Sequence, residues 1–218
     1  MTVSTAHELI DRWIITWAHA RGLETSIVDG WPLVHVRSRT RETELICIDP
    51  GLDAFASLFR HVDGDPRAML TVIADDASPY AELALPPGVR VDRDDETLMA
   101  TTSSPIEVPA LDARFTPRWD IEDHRARYVV EAGDRVAAEG TVGILGEDAT
   151  FDAVETTPAF QRRGLGRHVM ATLTAYALEQ GATRGVLAAS ARGRLLYESL
   201  GWEAAADMFS LMGAAESD

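Results

Sequence analysis

The chain has 218 residues, 46% of them hydrophobic and 25% charged, with a formal net charge of −15 and a pI near 4.7. This is enough apolar material for one large or two small globular domains, with no apolar run of the roughly 18–20 residues that cross a bilayer. An acidic chain is a poor nucleic-acid binder, which wants a basic face, although its charge would attract a cationic amine. One cysteine, Cys47, excludes an intrachain disulfide; in the apolar run Leu45-Ile46-Cys47-Ile48 it reads as a buried, inert thiol. No basic-then-apolar leader opens the chain, so the expected location is cytoplasmic. The six histidines show no metal-ligand spacing, and no metal is expected.

In chain order, Thr5-Ala6-His7-Glu8 has capping-box form, and Leu9, Trp13, Ile14 and Trp17 recur at helical spacing up to a stop at Gly22. Two strand-like runs, Leu33 to Val36 and Glu44 to Ile48, flank the polar Arg37-Ser38-Arg39-Thr40-Arg41 and predict a hairpin. Asp53 to Val62 follows as a helix with Phe55, Leu58, Phe59 and Val62 inward. Strands are then predicted at Met69–Ala74, Val89–Val91 after the turn Pro86-Pro87-Gly88, and Glu96–Thr101. Ser103-Ser104-Pro105 through Pro109 reads as a linker, dividing the chain into residues 1–104 and 105–218. Beyond Phe115-Thr116-Pro117-Arg118-Trp119, the runs Arg127–Glu131, Arg135–Leu145 and Thr150–Thr156, turning at Gly133 and Gly146, form an antiparallel meander.

The meander runs into Gln161-Arg162-Arg163-Gly164-Leu165-Gly166-Arg167, which opens a helix with Val169, Leu173, Tyr176 and Ala177 on one face and a stop at Gly181. Backbone N–H groups at a helix start lack intrahelical acceptors and sit at the positive end of the dipole, so strand, glycine loop and helix together make an anion site. The loop lacks the lysine of a nucleotide-hydrolysing P-loop, since all 20 basic residues are arginine, and it lacks the three spaced glycines of a dinucleotide fold. Gly185 to Ala189 then reads as a short buried strand, and Ser190 to Leu200 as a second helix.

Gln161-x-x-Gly164-x-Gly166 resembles the pyrophosphate loop of the GNAT superfamily of acyl-CoA-dependent N-acyltransferases. Two further motifs carry the resemblance. Thr156-Thr157-Pro158-Ala159-Phe160 stands where the family has Val-x-Pro-x-Tyr/Phe, and Leu196-Tyr197-Glu198-Ser199-Leu200-Gly201-Trp202 is similar to its Leu-Tyr-x-x-Leu-Gly-Phe signature. The resemblance covers about the last 90 residues. It implies an α/β fold of α+β type, with a GNAT-like mixed central sheet flanked by helices in the C-terminal half. The N-terminal half would be a smaller, degenerate α/β copy whose Asp49-Pro50-Gly51-Leu52-Asp53, in the loop position, would repel a pyrophosphate.

For function, the resemblance implies direct transfer of an acetyl group from acetyl-CoA to an amine of a small molecule or peptide. Backbone groups of Val154, Glu155 and Thr156 would hold the donor and polarise its carbonyl, while Gln161, Arg162, Arg163, Gly164, Leu165, Gly166 and Arg167 would hold its pyrophosphate. Ser190, where Asn is frequent, is a further cofactor contact, and Gly193 replaces a usual Ala. Tyr197 falls at the general acid; a phenol with an ordinary pKa of about 10 keeps its proton at neutral pH. Glu155 is the candidate base, with Glu139 on the neighbouring strand as competitor. The segment before the meander is too short for the family's two acceptor-wall helices, so the N-terminal half is expected to supply part of that wall, leaving the acceptor cleft between the halves. The rival reading is a catalytically silent CoA-binding or regulatory module. The acceptor's identity, the length of the acyl group and the oligomeric state, a homodimer included, stay open at this level.

Overall fold

Helix α1, Val3–Arg21, buries Leu9, Ile10, Trp13, Ile14 and Trp17 along one stripe and ends at Gly22, whose positive φ of 61° lets Leu23 N–H reach back to the Ala18 carbonyl at 2.9 Å. The structure, a computed structural model, describes residues 3–102, 106–123 and 125–215, with side chains from residue 7 onward. The helix starts at Val3, ahead of the predicted cap, and the capping side chain of Thr5 lies outside the described residues, as do Ser103, Ser104 and Pro105 of the predicted linker.

Strands β1 (Glu24–Val28), β2 (Trp31–His35) and β3 (Thr43–Ile48) form an antiparallel ribbon, and Leu33 opposite Leu45 carries out the predicted hairpin. Helix α2 (Leu52–Ser57) tightens into a 3-10 turn over Leu58–His61, so the single helix expected from Asp53 to Val62 changes pitch midway. Next come β4 (Ala68–Ala74), α3 (Ser78–Ala81) and β5 (Val89–Thr102). The strands predicted at 89–91 and 96–101 are thus one, kept continuous by bulges that absorb the charged Asp92–Glu96 run. The meander is β6 (Thr116–Glu122), β7 (Arg125–Ala132), β8 (Arg135–Leu145) and β9 (Asp148–Thr156). It leads to α4 (Leu165–Glu179), β10 (Arg184–Ala189), α5 (Ala191–Glu198) and β11 (Glu203–Gly213).

All eleven strands form one sheet in the order β1-β2-β3-β4-β11-β5-β10-β9-β8-β7-β6. The chain passes β3-α2-β4 and β9-α4-β10 as two parallel strand pairs, each joined through a helix. The strand that follows each unit crosses to the other: β5 pairs with β10, and β11 pairs with β4, while β5 and β11 lie antiparallel at the centre. Each half therefore closes the other's sheet edge. Helix α4 covers β7, β8 and β9 through buried Leu165, Val169, Leu173 and Ala177. Helix α1 packs on β8, β9 and β10, so close that a Cβ at Gly143 of β8 would stand 2.0 Å from the Ala20 Cβ.

A chain cut to residues 105–218 leaves β10 without β5 and β11 without either neighbour. It is expected to lose the cooperative thermal transition of the whole chain. Circular dichroism melting checks this, and a sharp two-state melt of the fragment would contradict the exchange.

Candidate functional site

The parallel pairing of β9 with β10 covers only three registered pairs, Asp148 with Arg184 to Thr150 with Val186, although β9 continues to Thr156 and β10 to Ala189. On the other side, β9 takes an extra residue against β8 between the pairs Glu139–Glu155 and Thr141–Asp152, and Ala153 there has a φ of 50°. A left-handed alanine costs about 1–2 kcal/mol and re-aims the strand. The registered pairing with β10 ends at Thr150, just before this bulge.

A cavity of about 300 Å³ fills the parting, lined by Phe151 to Glu155 of β9, Ala188 of β10, Glu96 of β5, and Ser190, Gly193 and Tyr197 from α5 and its cap. The expected residues Val154, Glu155, Ser190 and Tyr197 meet here. Ser190 is the N-cap of α5, its Oγ accepting from Gly193 N–H at 3.3 Å. A Cβ at Gly193 would stand 3.1 Å from the Tyr197 ring, a close contact that the ring would have to ease by a few tenths of an ångström.

Tyr197 is 7% exposed and packs against Trp202, with ring centroids 6.1 Å apart. Burial pushes its phenol up to about 12, and the nearby Asp152 carboxylate adds to the rise. Glu155 lines the same cavity but is exposed, whereas its competitor Glu139 is tied to Arg127 by a short ion pair. Two carboxylates that the sequence reading did not single out also line it. Asp152 receives Ala153 N–H at 2.7 Å and a short bond from Arg21 of α1. Arg93 Nη1 donates to both Glu96 carboxylate oxygens, at 3.1 and 3.2 Å, and burial raises the Glu96 carboxyl above the usual range against the pull of Arg93. Glu96 lies outside the recognised motifs, so only the β5–β10 pairing reveals it.

At the far end of β9 the chain turns through Pro158–Phe160 into the glycine loop. Gln161 Nε2 donates to the Thr156 carbonyl at 3.0 Å, and the Gln161 side-chain oxygen accepts from Arg192, so this side chain clamps loop, strand and α5 together. Arg162 and Gly164 take positive φ values of 62° and 77°, and the first intrahelical bond of α4 is His168 N–H to the Gly164 carbonyl at 3.0 Å. The N–H groups of Leu165, Gly166 and Arg167 precede that bond and have no acceptor within the helix. Leu165 is buried and anchors the turn, and a Cβ on Gly166 would press on Leu196 at 3.1 Å. The guanidinium of Arg163 lies over the Phe160 ring, 5.6 Å from its centroid, and Arg167 reaches the Ser199 carbonyl at 3.4 Å.

From the N-terminal half, α1 and β5 border this region. Trp17, Ala20 and Arg21 face Thr141, Gly143, Asp152 and Ala153 across a narrow pocket beside the cavity. Among the described residues no group of three or more His, Cys, Asp or Glu is placed to hold a metal ion, and no helix is long and apolar enough to cross a membrane.

The profile of the Acetyltransferase (GNAT) family matches residues 94–202, a span holding β5 from Asp94 onward, the meander, the glycine loop and Tyr197. The chain belongs to this family. It is similar to the ribosomal protein bS18-alanine N-acetyltransferase of Salmonella typhimurium, 37% identical over 123 residues, which is 50% of this chain and 80% of that one. Among solved structures, a GCN5-related N-acetyltransferase from Kribbella flavida superposes with a TM-score of 0.64 at 14% identity, covering 100% of this chain and 96% of its own. A putative GNAT acetyltransferase from Novosphingobium aromaticivorans gives 0.59 at 19% identity, over 92% and 97% of the two chains. These likenesses show the same fold along nearly the whole chain.

At pH 10, where an ordinary phenol is about half ionised, Tyr197 is expected to keep its proton. Tyrosinate absorbance at that pH should therefore match between the unaltered protein and a Tyr197→Phe variant. About half a tyrosinate more in the unaltered protein would contradict the shielding described.

Proposed function

We propose that the protein transfers the acetyl group of acetyl-CoA directly to an amine of a small molecule or peptide, in the cytoplasm. The observation that carries this reading is the parting of β9 from β10 beside a buried, protonated Tyr197, at one end of a strand that leads into the glycine loop.

Acetyl-CoA supplies an activated thioester carbonyl. The residues present suit it, because the edge of β9 from Val154 to Thr156 has no registered strand partner on the β10 side; the Thr156 carbonyl already accepts from Gln161, which leaves the peptide groups of Val154 and Glu155 for an amide-bearing chain. The N–H groups of Leu165, Gly166 and Arg167 suit the pyrophosphate, with Gly164 and Arg162 setting the turn. Backbone N–H on β9 is positioned to stabilise the oxyanion that develops as the amine attacks. In this step the C–N bond forms, the C–S bond breaks, and the departing sulfur takes a proton from the Tyr197 hydroxyl. Glu155 accepts the proton that the attacking nitrogen gives up. Because the phenol sits near 12, the phenolate left on Tyr197 is a strong base and is reprotonated at once at neutral pH.

Residues 105–218 carry the donor site in this reading, and residues 1–104 contribute α1 and β5 to the acceptor side. Acetylation of a protein amine, the reaction named for the Salmonella relative, supports an amine acceptor here. The rival reading, a CoA-binding module without chemistry, is disfavoured by Tyr197 and three carboxylates, Glu96, Asp152 and Glu155, converging in one cavity.

Tyr197→Phe is expected to lower kcat with an accepted amine by about 10²–10⁴-fold while acetyl-CoA binding stays unchanged. Steady-state release of CoA thiol together with a binding isotherm measures both. A kcat within about twofold of the unaltered protein would remove Tyr197 from the chemistry.

A further inference from the structure

The groove does not end at Tyr197. Glu96, Asp152 and Ala188 line the Tyr197 cavity and also the next one, which adds Arg21, Arg41 and Arg93. Those three arginines in turn line a third cavity of about 720 Å³, whose wall also carries Arg39, Arg67 and Arg90. Six of the chain's 20 arginines thus gather in one concavity of a protein whose net charge is −15.

The carboxylates bonded to these arginines are Asp152 to Arg21, Glu44 to Arg41, Glu42 to Arg67, Asp92 to Arg90 and Arg93, and Glu96 to Arg93. That is five carboxylates against six guanidiniums, and only Asp92 among them lines the large cavity. Arg39 has no ion-pair partner among the described residues. A guanidinium has five N–H donors, so a single carboxylate behind it leaves donors to spare. Arg41 is the most rigidly held: its side chain is 16% exposed, and its guanidinium lies 5.6 Å from the Trp17 ring centroid, as does that of Arg21. Fixed, partly desolvated guanidiniums are the groups best suited to grip a planar or tetrahedral oxyanion.

We propose that this arginine-lined cavity is an oxyanion subsite, and that it selects acceptors carrying a carboxylate or phosphate beside the amine to be acetylated. The proposal rests on the acetyl-transfer reading for its second half only. The charges along the groove are ordered: carboxylates Glu96 and Asp152 stand beside Tyr197, and the cations lie farther out. An amine with an attached anion fits this order in one direction, ammonium toward the carboxylates and oxyanion toward the arginines.

Two readouts test it, both on the full chain and on an Arg39→Gln/Arg90→Gln double variant, whose sites are exposed and outside the reaction cavity. Inorganic phosphate is expected to bind the unaltered protein calorimetrically, and the double variant to bind it about tenfold more weakly or worse. Absent phosphate binding, or binding that the double variant leaves unchanged, overturns the subsite. With acetyl-CoA, O-phosphoethanolamine and 4-aminobutyrate are expected to exceed ethanolamine and n-butylamine in kcat/KM by about tenfold, with the preference lost in the double variant and the acetyl-CoA KM unchanged. Equal kcat/KM for charged and neutral amines overturns the selectivity. No acetylation of any amine, alongside variant-sensitive phosphate binding, contradicts the acetyl-transfer reading and supports the subsite by itself.

Discussion

The left-handed bulge at Ala153 is the constraint on which the rest depends. A parallel strand pair normally keeps its hydrogen bonds to the end, and β3 with β4 does so over six registered pairs, from Thr43–Ala68 to Ile48–Ile73. In β9 the pairing with β10 stops after three pairs, at Thr150, and the extra residue at the bulge just beyond re-aims the rest of the strand. Peptide groups left without a strand partner cost on the order of 1–3 kcal/mol each if buried and unpaired, so the parting persists as a site only where solvent or a ligand can satisfy them. The same topological unit therefore occurs twice, once closed and once open. The closed copy has Asp49 at the strand end, hydrogen-bonded by the Tyr80 hydroxyl at 2.9 Å, where the open copy has its glycine loop.

Strand exchange explains how the open copy stays rigid. An eleven-stranded sheet with a gap in it would splay further if β10 were an edge, but β5 pairs with all of β10, from Arg184–Thr102 to Ala189–Thr97. Helix α1 closes the face of β8 to β10, meeting Gly143 through Ala20. Residues from before position 104 thus line one side of the groove, while β9, Ser190 and Tyr197 line the other, and the charge order along it runs from carboxylates to arginines.

How much of this was legible in the sequence depends on the kind of signal. The glycine loop could be read because a left-handed turn, with Gly164 at φ 77°, restricts residue choice at fixed spacing, and Tyr197 because it falls in the contiguous run Leu196 to Trp202. The meander was legible for a similar reason, since Gly133 and Gly146 mark its turns. Strand β11 was not. It is a central strand, buried on both faces from Met208 onward, so Glu203-Ala204-Ala205-Ala206 followed by apolar residues shows no period of two and leans toward helix. The short β1 is mostly exposed and gives no apolar alternation either. Glu96 and the arginine cavity depend on β5 crossing to β10 and on α1 lying over β9, long-range placements that no local pattern encodes.

The central claim is that acetyl-CoA lies along the free edge of β9 and on the first turn of α4. Amide hydrogen exchange of the unaltered protein, with and without saturating acetyl-CoA, tests it most directly. The account predicts slowed exchange in peptides covering residues 153–157 and 162–168, with the closed counterpart at 48–54 unaffected. Unchanged exchange in the first two segments, or protection at 48–54 instead, would contradict it.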